Sequence, residues 1–200
     1  MTGRAQQDTL LDLLNTTPVA GTSGTPQDLL AEPRAARAWQ RAHGGSGSPG
    51  ERHHLVQARD SLQAVVRGLA PAASLSPLLD GVTSRPEVAP GGITWAVDVP
   101  EDRGLAVQAL LTWGALQETM EGRLRPCANA ECRLFLLDRS KPNKARWCSM
   151  ARCGNRMKAR RHYERTRGAA ADQRAAGTSA GRQASTPSRQ AGPNLSASVS

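Results

Sequence analysis

Four cysteines are the residues of this chain with the clearest capacity for chemistry, and they form two pairs. The first pair lies in CANAEC and the second in CSMARC, so each pair encloses four residues and fifteen residues separate the pairs. Two pairs of thiolates from distant points of a chain can surround one metal ion tetrahedrally. The spacing therefore predicts a structural zinc site with the ligands Cys127, Cys132, Cys148 and Cys153.

Other chemistries of these thiols fit the pattern less well. Disulfides are uncommon inside cells, which is the setting that the sequence suggests, and unrelated core thiols rarely gather in symmetrical pairs. A redox pair usually has C-x-x-C spacing, which neither pair shows. A catalytic zinc keeps one coordination position open, whereas four thiolates close it. Structural zinc is the favoured interpretation, with two disulfides and unrelated thiols left as alternatives.

The second feature is a concentration of positive charge around the second cysteine pair. Residues 121–167 hold 14 basic and 4 acidic side chains, whereas residues 1–120 hold 9 basic and 12 acidic ones. This asymmetry indicates a polyanionic partner, because cationic side chains that neutralise phosphates release counterions. The residues predicted to contact nucleic acid, mainly at its phosphates, are Arg146, Arg152, Arg156, Lys158, Arg160, Arg161 and Arg165.

Duplex DNA is the partner that we expect, and two alternatives use the same charges. RNA binding usually adds aromatic stacking platforms, and Tyr163 is the one aromatic residue of the predicted basic helix. A protein-interaction module would instead direct its cations at an acidic protein. Competition between duplex DNA and RNA, and the effect of nuclease on complexes, would separate these three interpretations.

The rest of the chain does not predict a catalytic site. The N-terminal part shows no Ser/His/Asp order, no glycine loop that could cradle phosphate and no His/carboxylate motif of a metal enzyme. Asp98, Glu101 and Asp102 cluster after a predicted strand, and we interpret them as turn and helix-cap residues. We therefore expect no enzymatic activity.

The elements that must position the cysteines form a mixed pattern of helices and strands. Apolar residues recur at three- and four-residue intervals over 51–70, and again from a cap at Asp102 to about Gly122, which predicts two helices. A β-branched and aromatic run predicts a strand over 91–99. RLFLLDRS, residues 133–140, predicts another strand, from which the arm between the cysteine pairs folds back as a β-hairpin. A basic helix is predicted after the last cysteine.

The segment CANAECRLFLLDRSKPNKARWCSMARCGNRMKARRHYER, residues 127–165, resembles the CGNR zinc-finger family. The family takes its name from the tetrapeptide found here at 153–156. The F-x-x-D-R-S segment at 135–140 and RWCSM at 146–150 also match. In that family an α/β domain called ABATE precedes the finger, and LLDLLNTTP at 10–18 is similar to its usual opening.

The resemblance implies an α+β protein with three parts. An ABATE-like regulatory domain at 1–121 would precede a treble-clef-like zinc finger with its basic helix at 122–167. We expect the tail, 168–200, to be disordered because it lacks periodicity and large apolar side chains. Within the finger, the resemblance implies that Gly154 allows a tight turn beside the metal and that Asn155 caps backbone N–H groups or bonds the thiolates.

The resemblance also implies the function of a bacterial stress-induced transcription regulator that binds DNA through the finger. Its N-terminal domain would sense a small-molecule effector or form a homodimer. No membrane partner is expected, because no stretch approaches the roughly 18 uninterrupted apolar residues of a membrane span. The N-terminus also lacks the order of an export signal, so the expected location is the cytoplasm.

Overall fold

The computed structural model describes residues 3–20 and 25–180. The chain divides into two compact units, Met1–Arg156 and Met157–Ser200. The first unit combines helices with short antiparallel strand pairs, which confirms the predicted α+β class.

Four helices supply most of the core of the first unit. They are α1 (Arg4–Leu14), α2 (Pro33–Ala42), α3 (Pro49–Val66) and α4 (Gly104–Thr119). Leucines of α1, α3 and α4 are buried together, as the three- and four-residue periodicity requires. Ser48 caps α3 by accepting a hydrogen bond from the Glu51 backbone N–H, with Pro49 at the first helical position. The predicted helices over 51–70 and before Gly122 are thus confirmed.

The predicted helix cap at Asp102 is wrong. A 3₁₀ turn, Glu101–Arg103, precedes α4, which begins at Gly104. The Asp102 carboxylate lies 3.5 Å from His54 Nε2 on α3 instead of bonding the first turn of α4. The carboxylate therefore contributes to the contact between two helices.

Two antiparallel strand pairs accompany the helices. The short strands β1 (Val19–Ala20) and β2 (Thr25–Pro26) pair with each other after α1. A 3₁₀ helix, Ala72–Leu79, leads to the longer hairpin of β3 (Thr83–Ala89) and β4 (Gly92–Asp98). The second strand of this hairpin is the strand predicted over 91–99.

The hairpin of the cysteine-rich region differs from the predicted one. Strand β5 (Leu124–Pro126) pairs antiparallel with β6 (Phe135–Leu137), so the hairpin encloses the first cysteine pair. The arm between the two pairs does not fold back on itself as a hairpin. Phe135 and Leu136 are buried, and the strand that precedes Cys127 supplies their backbone partner.

The last described helix is α5 (Asn155–Ala180), which confirms a helix directly after the last cysteine. It extends past residue 168, where the sequence predicted disorder, and the alanines at 169–171 and 175–176 favour this extension because alanine has the highest helix propensity. The remainder of the predicted tail, 181–200, lies outside the described residues. Although α5 is long, no helix in the described ranges carries an apolar stretch long enough to cross a bilayer.

Candidate metal centre and basic helix

The four cysteine sulfurs form one cluster in the first unit. All four Sγ atoms lie within 4.8 Å of one another, and all four cysteines are free. Cys148 Sγ lies 3.8 Å from Cys132 Sγ and 3.7 Å from Cys153 Sγ. A tetrahedron with Zn–S bonds of ~2.3 Å has edges of about 3.8 Å. The donor atoms therefore have the type, number and spacing of a tetrahedral four-thiolate metal site.

The turn that carries the first pair is organised by a buried asparagine, Asn129. Its Oδ1 accepts a hydrogen bond from the Glu131 N–H, and its carbonyl accepts one from the Cys132 N–H. Its Nδ2 donates to Cys153 Sγ at 3.6 Å, with only 3% of the residue exposed. Asn129 thus shapes the turn between the first two sulfurs and supplies a donor to a third.

The second pair is carried by a π-helical turn, Met150–Gly154, that leads into α5. Ser149 begins this turn: its Oγ accepts from the Arg152 N–H, and its carbonyl accepts from the Cys153 and Gly154 N–H groups. A Cβ at Gly154 would lie only 2.5 Å from Met150 Sδ. Gly154 does not have a left-handed backbone conformation. A larger residue here would displace the end of the flexible Met150 side chain, which is 49% exposed.

The asparagine of the CGNR motif does not bond the thiolates. Asn155 is exposed at the start of α5, and in the described part of the chain its side chain makes no hydrogen bond to a cysteine sulfur. Asn129 donates this bond instead. Asn129 lies between the first two cysteines, in C-A-N-A-E-C. This position next to the ligands is the sequence signal for its role, and the sequence analysis missed it.

Without a cation, the cluster disfavours the thiolate form of two of its cysteines. Burial raises the pKa of Cys132 to about 11, and neighbouring sulfurs add to the shift. Burial also raises the pKa of Cys148, with the charge of Cys132 as the next cause. Burial acts in the same direction on Cys153, but hydrogen bonds from Asn129 and the other thiols lower its pKa overall. A bound cation would stabilise the thiolate forms of Cys132 and Cys148, so these two cysteines would release their protons when the cation binds.

A buried carboxylate organises the loop between the two cysteine pairs. Asp138 accepts hydrogen bonds from Ser140 Oγ at 2.6 Å and from the Ala145 N–H at 2.7 Å. The Arg125 guanidinium donates at 2.9 Å to Asp138 Oδ2, the oxygen that also accepts from the Ala145 N–H. Hydrogen bonds from Ser140 and Ala145 hold the pKa of Asp138 at about 2, so this loop is built around a permanent negative charge. The Asp and Ser of the F-x-x-D-R-S segment therefore have structural roles.

The cysteine module is continuous with the helical core of the first unit. Asn15, after α1, accepts from the Phe135 N–H at 2.7 Å and donates to its carbonyl at 3.3 Å. Arg67, after α3, donates to the Arg133 carbonyl, and its guanidinium lies 4.2 Å from the centre of the Phe135 ring. Phe135 lies in this core, with 1% of the residue exposed.

Three arginines of the charged segment hold the fold together. Arg123 donates to the carbonyls of Asp138 and Ser140, and Arg125 pairs with the Asp138 carboxylate. Arg139 forms an ion pair with the carboxylate of Asp8 on α1. These cations are engaged within the first unit, so the positive charge of this region is only partly available to a ligand.

The seven predicted contact residues are all exposed. Three of them, Arg146, Arg152 and Arg156, belong to the first unit. Arg146 lies with its guanidinium 5.3 Å from the centre of the Trp147 ring. The predicted contact residues are therefore more open to solvent than the half-buried Arg123 and Arg125, whereas Arg139 is exposed as they are.

In the second unit, taken by itself, α5 presents exposed cations along its described side chains. The predicted contacts in this unit are Lys158, Arg160, Arg161 and Arg165. Glu164 is the one acidic residue in 157–167, and it bonds Arg160 at 3.1 Å. Tyr163 is 63% exposed, and the Arg167 guanidinium lies 5.6 Å from its ring. The unit thus begins with a helix of strongly positive and little compensated charge.

Comparison with known families agrees with this geometry. A model of the family described as "Putative stress-induced transcription regulator", ABATE, matches residues 7–130. The chain belongs to the ABATE family. The CGNR zinc-finger model matches residues 123–166, which overlaps the ABATE match in β5 and the following turn. A comparison with curated proteins found no match.

Membership of the ABATE family confirms the resemblance that the sequence showed. The CGNR match contains all four clustered cysteines, and the ABATE match contains the helices whose core receives Phe135. The match that contains the cysteines is described as a zinc finger, so the cysteine cluster is a metal-binding feature of a known type.

Replacing Asn129 by alanine is expected to weaken metal binding by roughly 10–100-fold, the usual cost of removing a side chain that orients a metal ligand. The variant lacks the donor to Cys153 and the bond that shapes the turn. Competition with a chromophoric chelator measures the affinity. Asn155→Ala, which removes an exposed amide of the same kind, should bind metal as the unchanged protein does. Equal affinities for the two variants would contradict the role of Asn129.

Proposed function

We propose that the chain is a zinc-dependent DNA-binding transcription regulator of the cytoplasm. Cys127, Cys132, Cys148 and Cys153 would hold one Zn²⁺, since four clustered sulfurs match its preferred ligands and geometry. The ion would be structural, because four thiolates leave no open position for a substrate. The observation that carries the DNA proposal is the set of exposed cations in and after the second cysteine pair.

The phosphate backbone of DNA is the partner that these cations suit. Their charge has little acidic compensation, and the arginines that serve the fold are other residues. Contacts to phosphates supply affinity without sequence preference, and any base-edge contact would add specificity. Zinc would contribute by fixing the turn from which α5 starts, since Cys153 lies directly before Gly154 and Asn155.

The helical core of the first unit would have a regulatory role and no catalytic one. Its buried polar side chains have structural partners, such as Glu51, which accepts from Gln40 Nε2 and the Gly47 N–H. Among the residues that the structure describes, no buried side-chain nitrogen or oxygen lacks a hydrogen-bond partner. A small-molecule effector is the input that we propose for this part of the chain.

A salt titration with a matched pair of double variants tests the proposal. Arg161→Ala/Arg165→Ala should bind duplex DNA more weakly, and the slope of log K against log salt should become shallower by ~0.9 for each phosphate that the variant no longer neutralises. Arg4→Ala/Arg34→Ala removes two exposed arginines of the first unit and should leave both quantities unchanged. Fluorescence anisotropy over a range of salt concentrations gives affinity and slope together.

Three results would argue against contacts between these cations and DNA phosphates. Affinity that does not fall as salt rises would contradict the mechanism. Stronger competition by duplex RNA than by duplex DNA of the same sequence would assign the cations to RNA. A pull-down of an acidic protein that survives nuclease, combined with no DNA binding, would favour the protein-interaction alternative.

A further inference from the structure

The β3–β4 hairpin has one polar and one apolar face. Residues directly opposite each other in an antiparallel pair project from the same side of the sheet. The pairs Ser84–Val97, Pro86–Trp95 and Val88–Ile93 therefore share one face. The opposite face carries polar side chains, including the ion pair of Arg85 with Glu87 at 3.0 Å.

The apolar face is open to solvent. The exposed fraction is 90% for Val88, 71% for Ile93, 67% for Trp95 and 40% for Val97. An amphipathic strand normally places its apolar face against the core, and an isolated two-stranded hairpin is marginally stable in water. In the described chain, neither strand has a third strand beside it. The pattern of side chains thus fits a hairpin that packs against another surface.

The apolar surface continues from the hairpin onto α4. Val97 lines an open cleft of about 340 Å³ together with Val107 and Leu111 of α4. Leu111 is itself 43% exposed, although its neighbours Leu110 and Thr112 are buried. The exposed apolar side chains of strand and helix therefore meet at the base of the hairpin.

We propose that this face is the dimerisation surface of the protein and that its occupant is the same face of a second copy. The two hairpins would stack face to face about a two-fold axis, with Trp95 and Ile93 of each copy covering those of the other. Sheets packed in this way lie about 10 Å apart and interdigitate their side chains. Such an interface is isologous and closes at two subunits.

Three properties of the face favour a second copy. It carries no charged side chain, so two copies can meet without burying or opposing charges. Side chains this exposed present on the order of 500 Å² per copy, so two copies approach the roughly 1,000 Å² of a specific interface. A two-fold axis also needs a self-complementary patch, and an apolar face of paired Val, Ile and Trp side chains can pack against its own copy.

By composition, residues 181–200 are a less suitable occupant than a second copy. They contain only two large apolar side chains, Leu195 and Val199, among serines, glutamines and arginines. A second copy of the face supplies Trp, Ile and Val side chains instead. Self-association through the hairpin does not depend on DNA binding, so it can be tested on the full chain alone.

Sedimentation equilibrium of the zinc-loaded chain tests the proposal with variants on the two faces. The unchanged protein should show twice the monomer mass. Trp95→Lys and Val88→Lys, on different strands of the apolar face, should raise the dissociation constant by at least ~30-fold. Thr94→Lys places the same charge one residue away, on the polar face opposite Glu87, and should remain dimeric.

Circular dichroism and zinc content check that the variants fold. Trp95→Lys and Val88→Lys should leave both unchanged, because the Trp95 and Val88 side chains are largely exposed. A monomeric unchanged protein over the whole concentration range would overturn the proposal. Dissociation by Thr94→Lys to the same extent, or a Trp95→Lys variant that stays dimeric, would also overturn it. A monomer that carries an apolar small molecule in native mass spectrometry would assign the face to a ligand instead.

Discussion

The Cys148→Ser variant is expected to lose its stoichiometric zinc and the order of the second cysteine pair. Structural Zn²⁺ contributes roughly 10–16 kcal/mol in small fingers, so the removal of one of four thiolates should lower the affinity at least ~100-fold. Cys148 Sγ lies 3.8 Å from Cys132 Sγ of the first pair and 3.7 Å from Cys153 Sγ of its own pair, so its removal takes one of the four ligands from the centre of the cluster. Elemental analysis gives the zinc content, and hydrogen exchange locates the loss of order.

The loss of order should stop at the β5–β6 hairpin. Phe135 and Leu136 are buried without help from the metal, and Asn15 holds the backbone of β6 from α1. Amide protection should therefore fall after residue 138 and persist in β6. If the whole β5–β6 hairpin exchanges as fast as the loop, the helical core does not support the cysteine module.

A histidine at the same position separates metal binding from a simple packing defect. Cys148→His keeps a good zinc ligand and gives a three-cysteine, one-histidine site of a known type. This variant should retain zinc and protection, whereas Cys148→Ser should not. Unchanged protein without stoichiometric zinc, prepared under reducing conditions, would contradict the zinc proposal for all four cysteines.

The cysteine cluster could be predicted from sequence because its signal is local and strongly favours one interpretation. Two C-x4-C pairs separated by fifteen residues have few interpretations, and the sulfurs do lie within 4.8 Å of one another. The basic helix was also predictable, since cations at helical spacing follow the last cysteine. The longer helices, such as α3, follow from apolar periodicity over many residues.

The pairing of strands from distant segments was harder to predict from the sequence. RLFLLDRS predicts a strand correctly, but its apolar side chains do not specify the partner, and β5 contributes only three residues. The partner is chosen by the burial of Phe135 against helices that come more than fifty residues earlier in the chain. The role of Asn129 was missed for a similar reason, because its bond joins two turns that the fold brings together.

The position of β6 links the N-terminal helices to the cysteine module. Asn15 connects the end of α1 to the backbone of Phe135, and Arg67 connects the end of α3 to the carbonyl of Arg133, two residues before it. A change in the packing of these helices would therefore reach the turn that carries the first cysteine pair. The N-terminal helices and the cysteine module are coupled by direct hydrogen bonds within one compact unit.

Replacing Asp28 by alanine is expected to destabilise the first unit by about 3 kcal/mol, because it leaves a buried guanidinium without its main partner. The Arg59 side chain is 3% exposed, and its two terminal nitrogens donate to the two carboxylate oxygens of Asp28 at 2.6 and 3.0 Å. This bonding raises the pKa of Arg59 although burial opposes it. The guanidinium stays charged after the substitution because arginine is not deprotonated in proteins. Urea unfolding with zinc present measures the change in the free energy of unfolding.

Asp60 provides the matched control, because it bonds the same guanidinium from a more exposed position. Its carboxylate accepts from Arg59 Nε at 2.8 Å and is 59% exposed, so Asp60→Ala should cost less than about 1 kcal/mol. The two substitutions remove the same charge from the same partner and differ in how far water can replace it. Bidentate contact and shielding from water thus make Asp28 the dominant partner. Equal losses of stability in Asp28→Ala and Asp60→Ala would show that total charge, and not this geometry, stabilises Arg59.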